Sequence, residues 1–197
     1  MALWQSLLDL ARSGGWVMIP LSAVSLLMWT LIAERMLTFH RLSAGDLGIQ
    51  EAVHAVQGNV VNHFGHGLRA TLVRNFSRQR TGDAELDKRV LAECAIKLRP
   101  TLSRNLSVIA ALGSVAPLLG LLGTVSGMIA TFNVISAIGT GNARPLAGGI
   151  SEALVATEAG LLVAIPGLLL SASLSRRAHR ISYHLDQTLL VLEHHVR

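Results

Sequence analysis

Two carboxyl groups stand in a part of the chain where charge is otherwise missing. In Gly148-Gly149-Ile150-Ser151-Glu152-Ala153-Leu154-Val155-Ala156-Thr157-Glu158-Ala159-Gly160, Glu152 and Glu158 are the only charged residues of an otherwise apolar stretch reaching Leu174. A carboxylate inside a bilayer costs on the order of 3 kcal/mol on insertion scales, so an intramembrane glutamate marks a functional site by default. Such a group takes up and releases protons, or stays neutral and donates a hydrogen bond across a subunit interface. Thr157 lies roughly 140° around a helix from Glu152 at 3.6 residues per turn. Both border one path only if the helix presents the arc between them, through Ala153, Ala156 and Gly160. These small residues would leave room there for another helix or for water. Glu158 falls nearly opposite this arc, which suits a secondary polar role as an intersubunit or lipid-side hydrogen-bonding group.

A second set of candidates precedes it. Gly113, Pro117, Gly120, Thr124, Gly127 and Thr131 recur at spacings of three and four, along one helix face. Small residues let helices approach closely in lipid, and Gly123-x-x-x-Gly127 adds an adjacent small ridge. The glycines suit helix packing, and the small faces of the two later segments are expected to pack neighbouring subunits into a closed ring. The hydroxyls of Thr124 and Thr131 either line a polar path or bond their own backbone.

The elements that must position these residues follow from the charge distribution. The chain is 51% hydrophobic and 15% charged over 197 residues. Three runs, Trp16–Ala33, Leu106–Ile138 and Ile150–Leu174, are almost free of charge, and each is long enough to cross a hydrocarbon layer of about 30 Å. Strict alternation is absent, so all three are predicted to be helices. Of the 17 basic residues, all but Arg12 and Arg144 fall within 34–105 or the C-terminal tail. Basic loops stay on the cytoplasmic side, so the N-terminus is predicted outside and the C-terminus in the cytoplasm. The fold class is an all-α membrane protein: three transmembrane helices with helical cytoplasmic extensions. The expected segments are 1–14, a short external amphipathic stretch; 15–34, the first span; 35–105, a cytoplasmic helical loop; 106–138, the second span; 139–149, an external loop; 150–174, the third span; and 175–197, a cytoplasmic tail.

The loop is expected to extend the membrane helices without forming an independent domain. From Asp83, a capping residue, Leu86, Val90, Cys94 and Leu98 form one stripe, and Pro100 should kink or break the helix. Cys94, the only cysteine, has no disulfide partner in the chain, and neither it nor the eight histidines show metal-ligand spacing. No cofactor is implied. Gly120-x-x-Gly123-Thr124 lacks the lysine of a phosphate loop, and Gly139-Thr140-Gly141-Asn142 is a turn with no flanking strand. No nucleophile, base and orienting group converge, which argues against an enzyme. The formal charge of +5 reads as an orientation signal and a lipid-headgroup contact, since no nucleic-acid motif accompanies it.

Ala116-Pro117-Leu118-Leu119-Gly120-Leu121-Leu122-Gly123-Thr124-Val125-Ser126-Gly127-Met128, with Gly149-Ile150-Ser151-Glu152-Ala153-Leu154-Val155-Ala156-Thr157 and Ala164-Ile165-Pro166, resembles the MotA/TolQ/ExbB proton-channel family, its ExbB branch most. The resemblance covers nearly the whole chain in motif order, spacing and topology. It implies a homo-pentamer in the bacterial inner membrane, around a dimer of ExbD/TolR-like single-span proteins that bring a membrane aspartate. It also implies a TonB-like protein that carries the work of proton flow to the outer membrane. By the same resemblance the proton pathway maps onto Thr124, Glu152 and Thr157. The chain departs from the ExbB pattern in its short N-terminal segment and in Glu158, where many relatives carry an apolar residue. The flagellar branch differs in having four spans. Three other readings stand beside the ExbB-like one: a TolQ-like envelope-maintenance subunit, a non-conducting scaffold in which glutamine would replace Glu152 without loss, and a small secondary transporter. A transporter should show an internal repeat and a broken helix, and only Pro166 offers a break.

Overall fold

The computed structural model describes residues 14–43, 46–56, 65, 67–139 and 143–195, all of the regular structure among them helical. The proposed amphipathic stretch at 1–14 lies almost wholly outside the described residues. The helices are α1 (Met18–Ser43), α2 (Ile49–Val56), α3 (Leu68–Gln79), α4 (Ala84–Ser103), α5 (Leu106–Ile138) and α6 (Ala143–His195). Three of them are long and apolar enough to cross a membrane. The chain divides into two compact units, Met1–Ile32 with Ser107–Ala172, and Ala33–Leu106 with Ser173–Arg197.

The first unit is built around small residues. In lipid there is no hydrophobic drive between helices, so association depends on close packing. Ala116, Ala153, Ala156, Ala159 and Ala164 are buried, whereas Leu118, Leu121, Val125, Leu154, Leu162, Ile165 and Leu169 are exposed. Val17, just before α1, and Leu21, Met28 and Ile32 on it are buried at spacings of four and seven, the stripe that packs inward. Met18 and Leu21 join Ala116, Ala159 and Ala164 in one cluster. Hydroxyls on the spans bond backward to their own helix, as Ser22 does to the Met18 carbonyl (2.7 Å) and Ser114 to that of Ala110 (3.0 Å), which satisfies them without water.

The second unit has a core of its own. Phe76, Leu72 and Val73 of α3, Leu91, Cys94, Ala95 and Leu102 of α4, and Leu185 and Leu192 of α6 form one buried cluster with Ala52 and Val56 of α2. The tail supplies a full stripe because Ile181, Leu185, Leu189 and Leu192 recur at helical spacing between its charged residues. The expected stripe on α4 is rotated: Leu86 is 48% exposed, while Asp87 and Leu91 are fully buried. Asp87 tolerates burial because it accepts hydrogen bonds from the Thr81 N–H (2.7 Å), the Thr81 hydroxyl (2.9 Å) and the Gly82 N–H (3.2 Å), with Arg80 Nε at 3.5 Å. Burial alone would push this carboxyl up, but those donors and the arginine hold it below the ordinary aspartate range. Asp83 caps α4 by accepting from the Glu85 N–H at 3.0 Å. Asp46 reaches across the chain to the first turn of α3, accepting from the Arg69 N–H at 2.9 Å.

Two prolines lie inside helices, and the break expected near Pro100 falls just beyond it, before the second span. Pro100 lies inside α4, which ends at Ser103, and the break falls at Asn105, whose φ of 60° is left-handed. Asparagine tolerates that conformation better than most residues. Pro166 lies inside a continuous α6, so it supplies no broken helix. At 53 residues α6 runs for roughly 80 Å, far more than one bilayer crossing. Its start at Ala143 also shortens the connection expected at 139–149.

Candidate functional site

The small faces of α5 and α6 meet each other within one chain. A side-chain carbon placed on Gly120 would lie 3.1 Å from the Ala156 carbonyl and 3.2 Å from Thr157 Cα. On Gly127 it would lie 2.9 Å from Ala153 Cβ, and on Gly160 2.9 Å from the Ala116 carbonyl and 3.0 Å from Gly120 Cα. Gly113 stands against Leu168, and Gly123 against Ala156. These approaches leave no room for a methyl group at most positions. The expected assignment of these faces to neighbouring subunits is therefore corrected: they form a seam inside the subunit. The seam is also turned slightly from the face read in the sequence. Ala116 and Gly123 are buried in it, while Pro117 and Thr124 stand half-buried at its flank.

This seam fills the arc between Glu152 and Thr157. Ala153, Ala156 and Gly160 are buried against α5, so the helix that occupies that arc is α5 of the same chain. Glu152 and Thr157 instead flank the seam, each half-buried. The Thr157 hydroxyl donates to the Gly120 carbonyl at 3.2 Å, a bond between the two helices. Thr124 donates to the Leu121 carbonyl (2.6 Å), and buried Thr131 to that of Gly127 (2.9 Å), so both satisfy their own helix. No hydrogen bond joins Glu152, Thr124 and Thr157 among the described residues; one subunit holds them at separate places around the seam. Glu158 is exposed, pointing away from the chain's own packing.

Glu152 has a neighbour that sequence reading missed. Its carboxyl lies against Gly15, in the turn that opens α1, at the place where a Gly15 side chain would stand. Gly15 has φ +71°, a conformation that glycine adopts without strain. Among the described residues no group of three or more histidine, cysteine or acidic side chains forms a metal site.

With only helices among the described residues, three of them fit to cross a membrane, and a glutamate beside the seam of two small-faced spans, the chain is an all-α membrane protein with an ionisable group in its spanning unit. The model of the MotA/TolQ/ExbB proton channel family matches residues 60–187, and the chain belongs to that family. It is 31% identical over 199 residues to the biopolymer transport protein exbB1 of Vibrio cholerae, covering 94% of this chain and 86% of that one. An ExbB-like biopolymer transport protein of Synechocystis is 33% identical over 175 residues, 83% of this chain and 68% of its own. The biopolymer transport protein ExbB of Neisseria gonorrhoeae is 28% identical over 199 residues, 89% of this chain and 90% of its own.

Proposed function

We propose that this chain is a stator-like proton-channel subunit of a bacterial inner-membrane motor, which uses the proton motive force to energise outer-membrane transport through a TonB-type protein. The observation that carries the reading is the half-buried carboxyl of Glu152, standing beside the α5–α6 seam in a chain of a proton channel family. Thr124 and Thr157 supply hydroxyls on the same two helices, and a hydroxyl both donates and accepts, so it can hand on a proton. The N-terminus lies in the periplasm, and the basic second unit faces the cytoplasm. The subunits close into a cyclic ring of about five copies, a number implied by the family resemblance. Within the ring stands a dimer of ExbD/TolR-like single-span proteins with a membrane aspartate.

The test is Glu152→Gln, which keeps the size and hydrogen-bonding capacity of the side chain but cannot ionise. Assembly should survive while proton-driven work stops, measured as energy-dependent uptake or envelope integrity with assembled complex quantified in parallel. Full activity in a normally assembled Glu152→Gln complex would refute the proton-path assignment and favour a scaffold.

A further inference from the structure

We propose that Gly15 is a positioning residue for the proton step at Glu152: its bare Cα is the seat on which the Glu152 carboxyl rests. The inference builds on the proton-path reading of Glu152. It comes from the space around the glycines of the chain. A carbon added at Gly15 would overlap Glu152 Oε1 and lie 3.0 Å from Glu152 Cδ and 3.4 Å from its Cγ. The three atoms nearest that position all belong to the one side chain, so the room left by the missing Cβ is used by this carboxyl. Among the described residues Glu152 forms no hydrogen bond or ion pair, so steric contact with the Gly15 turn is what places its head group on the α1 side of the seam.

The turn itself is held. The Met18 N–H donates to the Gly15 carbonyl and the Ile19 N–H to that of Trp16, both at 3.2 Å. Val17 is buried, and its side chain stands 3.7 Å from the position a Gly123 Cβ would take. Met18, just after the turn, packs with Ala116 of α5 and with Ala159 and Ala164 of α6, which ties the seat to both helices. A side chain at residue 15 therefore displaces the carboxyl, changing where its proton is taken up and released.

Two other glycines make the idea testable. Gly139 has φ +74° and Gly82 φ +87°, and each has nothing within 4 Å of an added carbon. Alanine at either position carries the left-handed backbone strain without touching Glu152. The probe is dicyclohexylcarbodiimide, which adds to protonated carboxyl groups in membranes, applied to the full-length protein in native membranes across a pH series. Labelling of Glu152 and Glu158 is read separately by peptide mass spectrometry. Gly15→Ala should change the rate of Glu152 labelling by roughly tenfold, or shift its pH midpoint by about one unit, the scale of forcing a side chain out of its rotamer well. Glu158 labelling should stay constant, and Gly139→Ala and Gly82→Ala should leave both sites unchanged. In a Glu152→Asp background the shorter side chain relieves the clash, so adding Gly15→Ala should then alter labelling no more than Gly139→Ala does. If Gly15→Ala fails to accumulate, restored accumulation in the Glu152→Asp background supports the seat, and no restoration overturns it. Equal Glu152 labelling in Gly15→Ala and Gly139→Ala also overturns it. Labelling reports the seat without reference to proton work, so an active Glu152→Gln variant would end the proton-path reading while leaving the labelling outcome to decide the contact.

Discussion

Adding one methyl group to the seam, as Gly160→Ala, should destabilise the protein although alanine is the better helix former. The new carbon would meet the Ala116 carbonyl at 2.9 Å, Gly120 Cα at 3.0 Å and Gly120 N at 3.3 Å. All three are backbone atoms, so no rotamer change relieves the contact and the helices must part by about 0.5 Å to reach ordinary van der Waals distance. Overpacking of this kind costs about 1–3 kcal/mol. Alanine in place of a helical glycine returns at most ~1 kcal/mol. With the full return taken, the net loss is about 0–2 kcal/mol, and the Thr157 bond to the Gly120 carbonyl should lengthen with it. Gly148→Ala is the matched control: it lies on the same helix and has nothing within 4 Å. Thermal unfolding of the purified protein in detergent, followed by circular dichroism, compares the two variants directly. A Gly160→Ala midpoint equal to or above that of Gly148→Ala would show that α5 and α6 do not meet tightly at this point, and the internal seam would have to be abandoned.

Other substitutions probe the second unit, the hydroxyls and the orientation. Asp87→Asn keeps one acceptor but turns an amide toward the Gly82 N–H and Arg80, and should cost about 2–3 kcal/mol in unfolding free energy. Because the folded carboxyl is held below its ordinary value of 3.8, its contribution is present above that pH and is lost as pH falls through the folded value. Wild type should therefore lose stability on acidification over a range in which Asp87→Asn changes less; parallel acid titrations of the two would expose the opposite. Thr157→Val and Thr124→Val should each impair proton-driven work at constant assembly, whereas Glu158→Gln should be tolerated far better in activity; a Glu158→Gln defect as deep as that of Glu152→Gln would remove the distinction between the two carboxyls. Orientation calls for a cysteine other than Cys94, which is buried and whose thiol is pushed up by burial, with Lys97 opposing and Glu93 adding to the shift. A cysteine at exposed position 97, in a Cys94→Ser background, should resist impermeant thiol reagents in spheroplasts and react after permeabilisation. Labelling from outside would reverse the topology.

The spans were legible because hydrocarbon imposes a requirement that sequence cannot hide: a long run without charge, and backbone groups satisfied by a helix. The second uncharged run, Leu106–Ile138, has the bounds of α5. The second unit was harder to read. Asp87 looks like a solvent-facing charge until the Thr81-Gly82 turn is folded over it, and only then is Leu91 the residue that faces inward. The apolar stripe of the tail is interspersed with arginines and histidines, so it passes for a simple extension unless its partners on α3 and α4 are known. The contact between Gly15 and Glu152 joins residues far apart in sequence and carries no local pattern.

The small faces present a different problem, because their pattern was correct and their partner was not. Glycine at spacings of three and four states that some helix comes close; it is silent on whether that helix belongs to the same chain. The distances place Gly120 against Gly160 and Gly127 against Ala153 inside one subunit. That choice has a consequence for a ring. With the small faces already used, contacts between copies must fall to the outer surfaces of the spans, where Leu118, Leu121, Leu154 and Leu162 are exposed and Glu158 is the carboxyl among them. Large apolar side chains suit lipid and protein equally, but a carboxyl group does not suit lipid. The outer face that carries Glu158 is therefore the one with the most to gain from a neighbouring chain, and Glu158→Gln, neutral but still able to hydrogen-bond, should keep that contact where Glu158→Leu weakens it. Native mass spectrometry of the two variants would separate them, and equal oligomer retention by both would place the contact between copies elsewhere.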